Sequence, residues 1–210
     1  MAVDPLTYEK EATNTPLEVY EWDNVWWEQT NNTTAKRVLY IGDSISYCTR
    51  NVVTATANEE ILVDGFATSK ALDNPYFLPT LKLFMEQQPG RDAVLFNNGL
   101  HGWHLDEENG YRIGYRKMLD FLAQNANVPI WVLLSTDDAS DADRNKRVIR
   151  RNEIARELAA EYGLPVIDLY ELATTGENLH ISDGVHFTAE GYQKFADCIV
   201  ATLKKHFNMK

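Results

Sequence analysis

The sequence contains few cysteines, which excludes one class of protein and one kind of metal site. Only Cys48 and Cys198 occur in 210 residues. Two cysteines cannot form the several disulfides that stabilise small secreted domains, and they cannot supply a four-cysteine zinc site. Both lie in segments whose apolar pattern indicates helices. We therefore expect buried, reduced thiols.

Long apolar runs and excess positive charge are also missing. No stretch approaches the roughly 20 apolar residues that span a bilayer, and no basic segment followed by an apolar one marks a signal peptide. Lys and Arg number 20 against 31 Asp and Glu, which gives a net charge of −11. Nucleic acids and anionic membranes attract clustered positive charge, so neither is expected as a partner. We expect a cytoplasmic protein, or a secreted one if a leader was removed.

The alternation of apolar patterns predicts the fold class. Five short, nearly continuous apolar runs are typical of strands covered on both faces: Arg37–Ile41, Glu60–Val63, Ala93–Phe96, Ile130–Leu134 and Val166–Leu169. Helical patterns follow them at Ile45–Ala57, Tyr76–Gln87, Glu107–Gln124, Ala142–Tyr162 and Ala189–His206. The pattern predicts an α/β fold, a three-layer sandwich in which helices cover both faces of a parallel sheet.

The first 36 residues differ in composition from the rest of the chain. Trp22, Trp26 and Trp27 lie there among acidic and amide residues. We predict an N-terminal arm at 1–36 that packs its indoles on a single domain at 37–210. Two alternatives stay open, a lid or sugar-stacking surface beside a binding site and an exposed contact in a homo-oligomer.

A serine follows the first predicted strand of the domain. Gly42-Asp43-Ser44 comes directly after the apolar run that ends at Ile41. Open parallel sheets bind ligands at the carboxyl ends of their strands, and Gly42 permits a tight turn there. Ser44 would lie at the start of the next helix, where backbone amides are free to stabilise an oxyanion. A simple helix cap is the alternative role of this serine.

A histidine and an aspartate lie three residues apart near the other end of the chain. Asp183-Gly184-Val185-His186 comes shortly before the last predicted helix. A serine hydroxyl becomes a nucleophile when an imidazole accepts its proton and a carboxylate orients that imidazole. The two motifs together supply these three groups, whereas an Asx turn at Asp183 and a helix cap at His186 are the ordinary alternatives.

With these motifs the chain resembles the SGNH hydrolases, also called GDSL-type esterases and lipases, from about Arg37 to His206. The resemblance implies a flavodoxin-like sandwich with five parallel strands. It also implies that Ser44 is the nucleophile, His186 the general base and acid, and Asp183 the orienting carboxylate. It implies no metal or organic cofactor.

The segments between the two motifs match the family pattern less closely. The family places an oxyanion-hole glycine in the loop after the second strand, which is predicted here at 63–70. Gly65 is the only glycine in it, and the backbone amide of Thr68 or Ser69 is an alternative donor.

The family also places an asparagine after the third strand, in a G-x-N-D block. This sequence has Asn97-Asn98-Gly99 there, so the side-chain amide of either asparagine could join the Ser44 amide in the oxyanion hole. The resemblance favours Asn97, because an N-x-G-x-H form occurs in carbohydrate-acetyl branches of the superfamily.

Residues near the predicted site are candidates for substrate contacts. Trp103 could stack on a sugar ring, and His101 and Asp43 could line the pocket. His101 and His104 lack a recognisable set of further ligands, so no metal site is predicted. The basic residues of the fourth predicted helix are expected to form a solvated face: Arg144, Lys146, Arg147, Arg150 and Arg151.

These observations predict a serine esterase that acts on a carboxylic ester. The aromatic arm, Trp103 and the Asn97–His101 block favour a short acyl group, acetyl above all, on a carbohydrate. The resemblance leaves other activities open, namely a lysophospholipase or thioesterase and a sugar O-acetyltransferase. A non-catalytic carbohydrate-binding protein on the same scaffold is the alternative outside enzymes.

Overall fold

The computed structural model describes residues 16–88 and 90–210. The start of the predicted arm, residues 1–15, lies outside the described residues. A six-stranded sheet forms the middle layer, and its strands in chain order are β1 (Asp23–Trp26), β2 (Lys36–Gly42), β3 (Ile61–Thr68), β4 (Ala93–Phe96), β5 (Ile130–Leu133) and β6 (Val166–Ile167). The spatial order is β1-β3-β2-β4-β5-β6. All neighbours pair in parallel except β1, which runs antiparallel to β3.

Helices lie on both faces of the sheet. In chain order they are α1 (Ser44–Thr56), α2 (Phe77–Gln87), α3 (Arg112–Asn125), α4 (Ala142–Glu161), α5 (Leu169–Thr174) and α6 (Ala189–Phe207). A single π-helical turn, Glu107–Tyr111, leads into α3. The chain is therefore the three-layer α/β sandwich that the sequence predicts.

Two apolar cores result from the alternation of side chains along the strands. Leu39 and Ile41 of β2 join the core that contains residues of α2 and α3. Val38 and Tyr40 join the core on the opposite face, which contains residues of α1 and α6. Successive residues of a strand point to opposite faces, so a strand covered on both faces must be apolar throughout. This explains why β2 has no polar residue between Val38 and Ile41.

The sheet differs from the sequence prediction in one additional strand and in the ends of two others. A sixth strand, β1, comes from the arm and pairs Asp23 with Thr68 and Trp26 with Gly65. β3 continues to Thr68, because pairing with both β2 and β1 satisfies its backbone beyond Val63. β6 is shorter than predicted, since the Asp168 side chain accepts the Glu171 amide and begins α5.

The described part of the arm packs on the domain. The Trp27 ring stacks on Phe84 with ring centroids 4.7 Å apart. Arg37 of β2 donates to the Glu28 carbonyl at 2.9 Å and to the Asp64 carboxylate at 2.6 Å. A buried guanidinium thus joins the arm to the sheet.

The described helices are shorter or more polar than a membrane span. Within residues 16–88 and 90–210, none is both long enough and apolar enough to cross a membrane.

Candidate active site

Ser44 is the first residue of α1, directly after the carboxyl end of β2. The Asp43 side chain caps the helix by accepting the Ile45 amide at 2.9 Å. A methyl group on Gly42 would lie 2.8 Å from the Ser46 side chain, so only glycine allows this close approach of strand and helix. The N–H of Ser44 belongs to the first turn of the helix, where it has no intrahelical acceptor. The hydroxyl and a free amide therefore lie side by side at the positive end of the helix.

Asp183 and His186 share one tight turn opposite this helix start. Gly184 adopts a positive φ of 70°, a conformation that glycine adopts at no steric cost. One Asp183 carboxylate oxygen accepts the amides of Val185 and His186, both at 2.9 Å. Its other oxygen lies 2.7 Å from His186 Nδ1. The turn thus fixes both the carboxylate and the imidazole.

The three side chains form a continuous relay. His186 Nε2 lies 2.7 Å from Ser44 Oγ, across 142 positions of sequence. Because Nδ1–H donates to the carboxylate, Nε2 is the nitrogen that can accept a proton from the serine. The His186 and Asp183 side chains are 34% and 44% exposed, so the relay faces an open surface that a substrate can reach.

The Asp183 carboxylate is held in its ionised form. Partial desolvation acts against ionisation, but the amides of His186 and Val185 and the His186 ring outweigh it and lower the pKa of Asp183 to about 2. A carboxylate that accepts several N–H groups is stabilised in this way. It is therefore charged at neutral pH and can stabilise an imidazolium on His186.

Asn97, which the sequence analysis favoured as an oxyanion donor, is occupied elsewhere. Its side-chain amide donates to the Leu133 carbonyl at 2.9 Å and to Ser135 Oγ at 3.0 Å. These two bonds use both of its N–H groups and tie the end of β4 to the end of β5. Asn97 is therefore a buried link between strands.

Asn98 keeps a free donor. Its side-chain amide donates one hydrogen bond, to the Lys70 carbonyl at 3.3 Å. Its backbone carbonyl accepts the Tyr111 hydroxyl, while the side-chain oxygen has no partner among the residues the structure describes. One N–H of Asn98 is thus available to an oxyanion, which makes it the better candidate of the two.

Gly65 and Ser69 do not lie in the free loop that the sequence analysis expected. Gly65 lies inside β3, and a methyl group on it would come within 2.5 Å of the Arg50 guanidinium. The Ser69 amide donates to the Trp22 carbonyl at 3.1 Å, and its hydroxyl accepts the Trp22 amide at 2.9 Å. The Ser69 amide is therefore paired with the arm, and Gly65 belongs to a strand and not to a loop after it.

All three predicted substrate contacts, Asp43, Trp103 and His101, have partners within the protein. Asp43 is 1% exposed, so its carboxylate caps α1 beneath the surface. Trp103 lies against guanidinium groups of α4, the nearest being Arg151 at 4.6 Å from the ring. These contacts use a face of the indole that was expected to stack on a sugar.

His101 contacts the arm. Its Nδ1 lies 3.6 Å from the Glu18 carboxylate, and its ring packs edge-on against Trp22 with centroids 6.3 Å apart. Burial opposes protonation of His101, but Glu18 and the charge of Asp43 outweigh it and raise the pKa of His101 above its usual value. His101 therefore joins the arm to the segment that follows Asn98.

His104 and the two cysteines do not come together in a metal site within the described ranges. His104 pairs with Asp73 at 2.9 Å. In the described ranges, no group of three or more His, Cys, Asp or Glu side chains could hold a metal ion. Cys48 and Cys198 are free thiols, and burial raises the pKa of Cys198.

Arg147 and Arg151 do not belong to the solvated face that the sequence predicts for the basic residues of α4. Both reach from α4 to the backbone of the segment 98–105, and Arg151 is fully buried. The spacing indicates that Arg151 is buried, because it lies three residues after Val148 and four before Ala155, on the apolar stripe of the helix. A charged residue on such a stripe is buried with its partners, and a solvated face is the wrong expectation for it.

Comparisons with known proteins agree with this geometry. The GDSL-like lipase/acylhydrolase family matches residues 40–194, well over half of the chain. No curated protein sequence matches the chain.

Solved structures with the same fold include several named esterases and lipases. A GDSL-like lipase from Bacteroides thetaiotaomicron is 18% identical, with 81% of this chain and 89% of that chain covered and a TM-score of 0.65. The aryl esterase of M. smegmatis is 14% identical, with coverage of 81% and 99% and a TM-score of 0.66. Est24, a carbohydrate acetylesterase from Sinorhizobium meliloti, is 14% identical, with coverage of 81% and 99% and a TM-score of 0.64.

These identities establish the fold, while the family match covers both the Ser44 and the His186 motifs. The chain belongs to the GDSL-like lipase/acylhydrolase family of serine hydrolases.

Proposed function

We propose that this protein is a serine esterase that removes a short acyl group, acetyl above all, from a carbohydrate through an acyl-serine intermediate. The observation that carries the proposal is the relay from Ser44 Oγ to His186 Nε2 and from His186 Nδ1 to Asp183, with both distances at 2.7 Å. Such a relay activates a hydroxyl for attack on an ester carbonyl.

The reaction has two halves. Ser44 Oγ forms a bond to the carbonyl carbon as its proton passes to His186 Nε2, and the amide of Ser44 with the side chain of Asn98 stabilises the oxyanion. The C–O bond to the alcohol then breaks, and the alcohol leaves with the proton from Nε2. Water attacks the acyl-serine in the same manner, giving the carboxylic acid and free Ser44.

Hydrolysis of p-nitrophenyl acetate by Ser44→Ala tests this mechanism. We expect kcat to fall at least about 10³-fold, because the nucleophile is lost. Ser46→Ala is the matched control, since this serine lies only two residues along the same helix, on a different side of it, and its hydroxyl donates to the Asp43 carbonyl at 2.7 Å. A wild type that is no faster than Ser44→Ala would refute the acyl-serine mechanism.

A carbohydrate as the alcohol part is supported by two exposed aromatic side chains, one on the helix that Ser44 begins and one on the edge strand of the arm. Tyr47 lies three residues after Ser44 on α1, and its side chain is 45% exposed. Trp26 of the arm is 48% exposed. The Arg50 guanidinium lies 4.9 Å from the Tyr47 ring and 5.7 Å from the Trp26 ring. Unlike the half-buried Trp103, both residues keep almost half of their surface exposed beside this arginine. Aromatic rings combine an apolar face with a polar edge, which suits the two kinds of surface of a sugar.

The substrate class is tested by comparing two esters. We expect Tyr47→Ala and Trp26→Ala to raise KM for an acetylated xylo-oligosaccharide about tenfold and to leave p-nitrophenyl acetate unchanged, because only the larger substrate reaches these rings. Ile113→Ala, at an exposed residue of α3, is the control. Equal KM values for wild type and both variants would refute the carbohydrate proposal.

The acyl preference separates this proposal from a lysophospholipase. We expect p-nitrophenyl acetate to be hydrolysed faster than p-nitrophenyl octanoate. The reverse order would favour the long-chain alternative, and product analysis with a free sugar acceptor distinguishes hydrolysis from acetyl transfer.

A further inference from the structure

Arg151 is the most deeply buried charged side chain near the site. It extends from α4 and has no exposed surface. Its Nη1 donates to the carbonyls of Gly99 at 3.0 Å and His101 at 2.7 Å, and its Nη2 donates to the carbonyl of Gly102 at 2.8 Å. Burying a guanidinium costs free energy unless its donors are satisfied. Here backbone carbonyls of one segment satisfy them.

Aromatic rings enclose the same guanidinium. Its central carbon lies 4.6 Å from the Trp103 ring and 4.7 Å from the Tyr111 ring. The Tyr111 hydroxyl in turn donates to the carbonyl of Asn98. Arg151 and Tyr111 therefore act on consecutive carbonyls, those of Asn98 and Gly99.

Arg147 extends this contact along the segment. Its Nη1 donates to the Trp103 carbonyl at 2.7 Å and its Nη2 to the Leu105 carbonyl at 2.6 Å. Arg147 and Arg151 share one carboxylate, that of Glu107. We call the segment 98–105 the asparagine loop. Three side chains thus hold six of its carbonyls, which are those of Asn98, Gly99, His101, Gly102, Trp103 and Leu105.

The position of these bonds matters because Asn98 begins the asparagine loop. A methyl group on Gly99 would lie 1.9 Å from Ser135 Oγ, so the backbone there is pressed against the neighbouring loop. Fixing the carbonyls of Asn98 and Gly99 fixes the peptide planes on both sides of Gly99. The plane between Asn98 and Gly99 adjoins the Asn98 Cα and so bears on the direction of the Asn98 side chain, and a shift of about 1 Å in a donor reduces catalysis about 10²-fold.

We propose that Arg151 is a positioning residue that acts through Asn98, holding the asparagine loop so that the Asn98 amide points at the developing oxyanion. The inference rests on the proposed function, since it needs an acyl-transfer reaction at Ser44. A lysine cannot take its place, because an ammonium is a compact charge without the planar fork that reaches three carbonyls.

The test is the kinetics of Arg151→Lys with p-nitrophenyl acetate. We expect kcat to fall about 10- to 100-fold with KM within about twofold, because a misplaced oxyanion donor weakens the transition state more than the bound ester. Arg150→Lys is the matched control on the same helix, since Arg150 is only half-buried and pairs with the carboxylates of Glu153, at 2.6 Å, and Glu108, with no bond to a carbonyl of the asparagine loop. Its kcat should equal that of the wild type.

A second variant keeps the test valid where Arg151→Lys does not fold. Tyr111→Phe removes only the hydroxyl that donates to Asn98 and leaves the ring in place. We expect kcat to fall about tenfold at unchanged KM, with faster hydrogen exchange at amides of the asparagine loop. A role confined to stability would instead lower Tm and leave kcat per folded molecule unchanged.

The outcomes separate the two proposals. If the wild type turns over the ester and kcat is unchanged in folded Arg151→Lys, the inference about Arg151 is overturned and the proposed function stands. Where the lysine variant does not fold, an unchanged kcat in Tyr111→Phe has the same meaning. A wild type without turnover of any ester overturns the proposed function, and the inference falls with it. Lowered kcat in folded Arg151→Lys, or in Tyr111→Phe where the lysine variant does not fold, supports the inference when kcat of Arg150→Lys is normal.

Discussion

Asn97 and Asn98 are adjacent and chemically identical, yet their surroundings give them different roles. Asn97 uses both amide hydrogens to link the ends of β4 and β5. Asn98 uses one, and its backbone is held by Tyr111. The role of an amide side chain thus depends on which of its donors the fold has already taken.

This difference predicts opposite effects for two alanine variants. Asn98→Ala should lower kcat for p-nitrophenyl acetate about 10²- to 10³-fold with a small change in Tm, because an oxyanion donor is lost. Asn97→Ala should lower the free energy of unfolding by about 2 kcal/mol, because it leaves the Leu133 carbonyl buried without a donor. Kinetics and urea unfolding of both variants check this. The opposite pattern would assign the oxyanion role to Asn97.

At this scale the sequence predicts the relay better than it predicts the oxyanion hole. Ser44, Asp183 and His186 lie in short motifs whose geometry is set by one turn or one helix start. The oxyanion donors depend instead on contacts between distant segments, such as the pairing of Ser69 with Trp22. A linear sequence gives no sign of which donors such pairing consumes.

The structure of the arm is the part of the fold that is hardest to predict from the sequence. Its aromatic residues predict packing, but the strand β1 is only four residues long and adds to the edge of β3. A short edge strand carries little periodic signal. The arm also contacts the asparagine loop. Glu18 lies beside His101 and accepts the Gly102 amide at 2.8 Å.

The contact between the arm and His101 should depend on pH. The contact with His101 lowers the pKa of Glu18 from 4.5, against a partial desolvation that raises it. The pKa of His101 is raised from 6.5. A lowered carboxylate pKa stabilises the contact above pH 4.5 and loses that effect as pH falls through the folded value. A raised histidine pKa stabilises it below pH 6.5 and loses that effect as pH rises through the folded value. The contact is therefore complete between these two values.

Hydrogen exchange of residues 16–24 measures this contact. After correction for intrinsic rates, we expect exchange about fivefold faster at pH 8.5 than at pH 5.5, because a partly exposed pair contributes up to about 1 kcal/mol. Glu18→Gln should remove the difference. His104→Gln, which alters the neighbouring pair with Asp73, should retain it. A pH-independent arm in the wild type would contradict the prediction.

The layered arrangement of strands and helices follows from the sequence more directly than the oxyanion donors or the arm do. Alternating strands and helices specify a parallel sheet, and parallel strands bring their carboxyl ends to one edge. Ser44 after β2 and Asn98 after β4 therefore follow neighbouring parallel strands at the same edge of the sheet, although 54 positions separate them in the sequence. The addition of β1 changes the edge of the sheet and leaves this arrangement intact.

Net charge also acts at the scale of the molecule. The chain carries −11, and the carboxylates of Asp43 and Asp183 belong to the two motifs that form the relay. A negative field lowers the local concentration of anionic substrates, and salt screens it over about 10 Å at 0.1 M. We expect the esterase to discriminate against anionic esters at low ionic strength.

Two p-nitrophenyl esters of similar size test this effect, the neutral acetate and the anionic monosuccinate. Raising NaCl from about 10 mM to 300 mM should increase kcat/KM for the monosuccinate about threefold or more, because screening weakens repulsion. The acetate should change by less than about 1.5-fold, which controls for effects of salt on the enzyme itself. A monosuccinate rate that falls with salt would mean that a local cation, and not the net charge, governs access to Ser44.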